Sequence, residues 1–468
     1  MSKYLITTAN VFIPAKIRYT NISSTYLPAD ILNKMLKSFG EESQMIAGVD
    51  VFGKQAYRAM RNIKDKHQYI ADSKREFRQT LSLFGIEPDL YIDSDNPKMD
   101  KFVNYSVTQL HNNGMLVETQ DHSFYCNDCQ EELSKSECEI TSQKERRLKK
   151  HDSVEQLLGE DFICKLCGSD NIEIRQDSQW GLLLPRTDFL YSLMEQQDTT
   201  SNIIPNIQNI YNKDFDCWTF TRNNYGRPMP LDREKSIYLW YDSIVSKLLA
   251  VSSEPEDVVN DIRNVKMISY FGKNILPYYS LMMPTIFNQG FNVSEFNIKF
   301  AARGFCLTQD NDALILRQDK FTSDELDKVR LFIASRVPDK IKDYKLSENN
   351  YKQFLNSTYK NFKKYFHRLS TFDNNSHLNP QSEEYKIIKK HLREGRVNKV
   401  LLTIEQWAID DMKTLSKGNF DVNTIKNRYA IISTTMSAVA PNLIRGDNTY
   451  QQASINTVFL EKCNDHTR

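Results

Sequence analysis

The sequence lacks a net charge of any size: 61 Lys and Arg residues face 60 Asp and Glu, for a formal charge of +1. A balance of that kind provides no field to draw in nucleic acid, so any RNA-binding surface must be a local patch. Long apolar runs are missing too, and none approaches the roughly 20 residues of a membrane span. The opening MSKYLITTANVF has no apolar core of signal-peptide type and reads straight into fold-like sequence. Cysteine is unremarkable at eight residues in 468, and glycine is sparse at 15. Together these features predict a soluble, cytoplasmic protein with reduced thiols. At this length two or three domains are expected.

Tyr4-Leu5-Ile6-Thr7-Thr8 reads as a buried strand. Ile31, Leu32, Met35, Leu36 and Phe39 have helical spacing over 28–39, with Gly40 as a stop. Residues 43–51 read as a second strand, with Asp50 at its end. Strand, helix and strand within about 50 residues predict a βαβ unit and a parallel sheet. Residues 55–90 look helical. From about Gly114 short strands are expected, and 236–251 and 275–287 read as apolar helices. Residues 269–272 and 298–304 supply further strands. Beyond about Phe321 the alternation stops, and 347–372, 383–415 and 422–443 read as a helical bundle.

Four cysteines carry the sharpest motif. Cys126-Asn-Asp-Cys129 and Cys164-Lys-Leu-Cys167-Gly168 are two CxxC turns. Each presents two thiolates to one tetrahedral ion, and Gly168 lets the second turn close. Neither pair opens a thioredoxin-like βα turn. Four thiolates leave no open position for water, so the expected zinc is structural. Cys138 lies between the pairs, and the basic run Lys144–Lys150 reads as a solvated face, with phosphate contact as the alternative.

Several segments resemble one family when taken in order. They are Tyr4–Thr8 followed by Ala9-Asn10, Gly48-Val49-Asp50, the cysteine insert, Gln179–Pro185, Ser236–Ser243 with Trp240, and Tyr270-Phe271-Gly272-Lys273-Asn274-Ile275. The set resembles a methionyl-tRNA synthetase, a class I aminoacyl-tRNA synthetase. The resemblance implies a Rossmann-type catalytic domain over 1–115 and 181–310, split by a zinc-binding insert over 116–180. A connector over 311–346 and a helical anticodon-binding-like domain over 347–468 would follow. It also implies amino-acid contacts from Asp50, Trp240, Asn10, Ile275 and Tyr279, with Asp50 holding the ammonium. Nucleotide contacts would come from Gly272, Lys273, Asn274 and Gly304.

Both ATP signatures of the family are degraded. At the HIGH position stand Arg18, Tyr19, Thr20 and Asn21, without histidine; at the KMSKS position stand Asp312, Ala313, Leu314, Ile315 and Leu316, without lysine. A charge-assisted hydrogen bond to a triphosphate is worth roughly 1.5–3 kcal/mol. Without these donors, ordinary adenylation and ATP use are not expected. Ile244 and Lys247 replace a family proline and tyrosine, and Tyr278 and Tyr279 a phenylalanine and histidine, which unsettles methionine specificity. Lys364 and Leu415 fall where the family reads the anticodon, with Trp407 nearby. Lys360, Lys363, Lys364, His367 and Arg368 alternate with Tyr359, Phe362, Tyr365 and Phe366; these aromatics either stack RNA bases or pack inward. Three functional readings stay open. One is a synthetase paralogue that binds an amino acid, nucleotide, tRNA or protein partner without activating it. A second is an enzyme that ligates or transfers an aminoacyl group by altered chemistry. The third is a diverged but active methionine-tRNA ligase.

Overall fold

The computed structural model describes residues 3–13, 17–134, 137–140, 161–212, 216–223, 225–307, 321–369, 376–418 and 420–445. They form two compact units. The larger comprises Met1–Gln109, Pro185–Asp214 and Leu239–Arg468, the smaller Leu110–Leu184 and Phe215–Tyr238.

The larger unit is built on a five-stranded parallel sheet: β1 (Lys3–Thr8), β2 (Ser43–Ala47), β3 (Leu90–Tyr91), β4 (Val265–Gly272) and β5 (Asn297–Arg303). Its order is β5-β4-β1-β2-β3. Leu5, Ile6, Met267, Ile268 and Phe271 are buried because both faces are covered, which is why these strands read as continuous apolar runs. The chain runs outward from β1 on one side, then returns to the other. That reversal lies between β1 and β4, the place where open α/β sheets form a ligand crevice at the carboxyl ends of their strands.

The run expected over 43–51 is two pieces, β2 and Val49–Asp50, with Gly48 between them. A Cβ on Gly48 would lie 2.0 Å from the Ile92 carbonyl oxygen, so only glycine lets the neighbouring chain approach this closely. Val49–Asp50 then pairs with Val11–Phe12. The helix Leu27–Ser38 supplies the crossover.

Three expectations need correction. Ser236 and Ile237 end a strand, Asp232–Ile237, and the helix begins only at Leu239. The stretch 383–415 is two helices, Glu383–Arg393 and Val397–Lys417, parted at Gly395 (φ +68°). The Gly395 carbonyl accepts from Tyr270 Oη at 2.8 Å and Arg303 Nη2 at 3.1 Å, so the break is pinned to β4 and β5. In the smaller unit the strands are long: Leu116–Cys126 pairs antiparallel with Ile172–Leu183 along its whole length. Their outward residues are polar, which hid the alternation.

The helix Ser323–Arg336, unexpected from the sequence, carries a capping box from Thr322 and Glu325. Its Arg330 is buried and donates to Asp30 and to the carbonyls of Phe84, Gly85, Ala438 and Val439. C-terminal helices and sheet share one apolar core that runs from Tyr4 and Ile268 to Ile404 and Ile432. Among the described residues no helix is long and apolar enough to cross a membrane.

Candidate functional site

The carboxyl ends of the strands bring a buried charge network together. β1 ends just before Asn10, and the Gly48 break delivers Asp50. Asn10 Nδ2 donates to Asp50 Oδ1 at 2.9 Å, and Lys247 Nζ donates to Asn10 Oδ1 at 2.6 Å. Asn10, Asp50 and Lys247 are 5%, 1% and 2% exposed. The second carboxylate oxygen of Asp50 is buried and meets no partner among the described residues, as is the hydroxyl of Tyr279.

Burial raises Asp50 to about 7; the Asn10 hydrogen bond and the Lys247 charge oppose this, and Asp242 and Asp93 reinforce it. Burial likewise lowers Lys247 to about 8, against the pull of Asp50 and Asp93. Tyr279 is raised by burial and by Asp50, which places its hydroxyl within electrostatic reach of that carboxylate.

Aromatic rings wall this region. The helix Leu239–Val245 packs on the Val49–Asp50 strand. From it, half-buried Trp240 stacks on Tyr278 at 4.8 Å between centroids. Tyr279 stacks on Phe271 at 4.1 Å. Ile275 is buried at the end of the short turn Lys273–Ile275.

The residues at the HIGH position begin the helical run after β1, and two of them face the core. Tyr19 is buried, and the Thr20 hydroxyl oxygen accepts from the Cys306 backbone N–H at 3.0 Å. Asn21 Oδ1 accepts from the Arg18 N–H at 3.0 Å, and the Arg18 side chain is exposed. Lys273 pairs with Asp343 at 2.6 Å over the Phe305 ring. Gly304 is explained by packing: a Cβ there would lie 2.1 Å from the Lys342 carbonyl oxygen. A Cβ on Gly272 would lie 2.9 Å from Oδ1 of Asn274, which is itself exposed. Residues 312–316 at the KMSKS position lie outside the described residues.

In the smaller unit the sulfurs of Cys126, Cys129, Cys164 and Cys167 all lie within 4.8 Å of one another. The Cys126–Cys167 and Cys129–Cys164 pairs are 3.7 and 3.8 Å apart. Metal–sulfur bonds of about 2.3 Å in a tetrahedron put sulfurs about 3.8 Å apart, so this set can hold one metal ion. Gly168 (φ +78°) turns the second pair, its N–H donating to the Cys164 carbonyl at 2.7 Å. Cys138 pairs in register with Cys164 but is not one of the four.

The family model described as class I tRNA synthetases (M) matches residues 4–406. This chain belongs to the methionyl-tRNA synthetase family. It is 22% identical to the methionine–tRNA ligase of Streptococcus pneumoniae strain CGSP14, over 90% of this chain and 86% of that one. The Methanocaldococcus jannaschii enzyme is 20% identical over 89% of this chain and 71% of its own length. The match to the Methanopyrus kandleri ligase, 22% identical over 61% of this chain, spans only 46% of that protein. Among solved structures, the Mycobacterium tuberculosis methionyl-tRNA synthetase in complex with methionyl-adenylate shares the fold. Its TM-score is 0.68 at 13% identity, over 94% of this chain and 92% of that one.

In the helical region, Phe362, Tyr365 and Phe366 point inward and Tyr359 is half-buried; Lys360, Lys364, His367 and Arg368 are exposed. Tyr365 Oη donates to Asp411, which also pairs with Arg428 beneath Trp407. These aromatics therefore pack the helix rather than stack bases. Leu415 is half-buried. Lys247, which the sequence marks only as a departure from the family's tyrosine, enters the site through its bond to Asn10.

Proposed function

We propose that this chain binds an amino acid through Asp50 and does not form the aminoacyl-adenylate by the route the family's signatures serve. The observation that carries the reading is an asymmetry within one crevice. Asp50 keeps a buried, unpartnered carboxylate oxygen, the complement of an ammonium. The start of the helical run has no imidazole; Tyr19 serves the core, and Thr20 holds Cys306. Lys273 is already paired with Asp343.

The test is amino-acid-dependent ATP–pyrophosphate exchange over the twenty amino acids, run beside thermal-shift binding. We expect no exchange, with a rise in melting temperature from at least one amino acid. Exchange with methionine at the rate of an ordinary ligase would overturn the reading. Exposed Arg18 favours a second one, aminoacyl ligation by altered chemistry. Product formation only with an added acceptor would select it.

The four-cysteine cluster is read as a structural zinc site, because four thiolates at tetrahedral spacing leave no coordination position for substrate. The exposed Lys360, Lys364 and Arg368 are a surface for the tRNA backbone, to be tested by salt-dependent binding.

A further inference from the structure

Asn10 keeps two buried charges apart. Its amide NH₂ faces Asp50 and its oxygen faces Lys247, so the carboxylate and the ammonium meet the same side chain. A direct pair would have consumed both groups. Here Asp50 keeps one oxygen without a partner, and the bond to Asn10 is the only one Lys247 makes among the described residues. An ammonium has three donors, and leaving two of them dry is costly. The network is thus unsatisfied at both ends: an acceptor at Asp50 and donors at Lys247. Trp240 lies seven residues before Lys247, two turns back on the same side of the segment, and it stacks on Tyr278 beside Tyr279. Tyr279 lies within electrostatic reach of Asp50, so the aromatic wall adjoins the acceptor end of the network.

Building on the amino-acid reading, we propose that Lys247 is the specificity-determining residue of the Asp50 site, selecting an amino acid whose side chain ends in a hydrogen-bond acceptor, an amide or carboxylate oxygen. The ligand's ammonium meets Asp50 Oδ2, and its side-chain oxygen meets Lys247 Nζ. A thioether such as that of methionine accepts weakly and leaves the buried ammonium unsatisfied. A site built to hydrogen-bond a polar group rejects the analogue that lacks it.

The experiment is calorimetric titration of the full-length protein with L-glutamine, L-glutamate and L-methionine, in wild type, Lys247→Met, Lys247→Gln and Asp50→Ala. Wild type should bind glutamine or glutamate at least tenfold more tightly than methionine. Lys247→Met should reverse that order. Lys247→Gln, which keeps a donor without the charge, should retain the amide preference and lose the carboxylate preference, and it stands in if the methionine variant fails to fold. Unchanged selectivity in both variants, with binding still abolished by Asp50→Ala, overturns the role of Lys247 and leaves the amino-acid site standing. If wild type takes up none of the three, the role of Lys247 fails, and the thermal-shift screen over the twenty amino acids decides the amino-acid site by itself.

Discussion

Arg330 and Asp30 form a fully buried ion pair, Nη2 to Oδ2 at 2.8 Å, between helices 300 residues apart in sequence. Arg330 spends its remaining donors on four backbone carbonyls. Removing one partner of such a pair strands the other. Asp30→Ala should cost about 3–5 kcal/mol, read as a lower urea midpoint. A loss below about 1 kcal/mol would mean that the carbonyls alone satisfy the guanidinium.

Metal content gives a second test. Purified protein should carry one zinc per chain by elemental analysis. Cys126→Ser and Cys164→Ser should each lose it, and Cys138→Ser should keep it, since Cys138 is outside the sulfur cluster. Stripping the metal with a chelator should make the smaller unit more susceptible to protease, because the apolar cluster beside the four cysteines is small. Full metal content in Cys164→Ser would refute the four-sulfur site.

Asp50 titrates at about 7 in the fold, against about 3.9 in an unfolded chain. Between those values the folded state holds a proton that the unfolded chain has released. This contribution to stability is complete below pH ~4 and is lost as pH rises through about 7. Lys247, lowered to about 8, works the other way: its contribution is present above its unfolded value of ~10.4 and is lost as pH falls through about 8. Asp50→Asn removes the first effect and keeps the acceptor for Asn10. The variant should therefore gain on wild type as pH is raised from 5.5 to 8, measured by urea unfolding at each pH. A flat difference would mean that the carboxylate is ionised throughout.

Gly48→Ala drives a methyl into the Ile92 carbonyl. Overpacking of this kind costs about 1–3 kcal/mol, and the strain falls two residues before Asp50. The substitution should weaken amino-acid binding together with stability. Wild-type affinity in a folded variant would separate the break from the placement of Asp50.

The sheet was legible because β1, β4 and β5 are apolar runs buried on both faces. The long pair Leu116–Cys126 and Ile172–Leu183 was not, since its partners are far apart in sequence and its outward residues are polar. The helix Ser323–Arg336 escaped for a related reason: Asp327 and Arg330 point inward, so charge occupies positions that periodicity assigns to the apolar face. Asp50 and the cysteine pairs announced themselves by motif. Lys247 was legible only as a departure from the family's tyrosine, because its acceptor, Asn10, lies 237 residues away in sequence.

One carbonyl, that of Gly395, is clasped by donors rooted in two adjacent strands, Tyr270 in β4 and Arg303 in β5. Each donor lies within a few residues of a crevice loop, the first leading to Lys273 and the second to Gly304. The helices on either side of Gly395 and those two loops are therefore not independent degrees of freedom. A load applied to the helices must either be borne by the strand ends or break two hydrogen bonds at once.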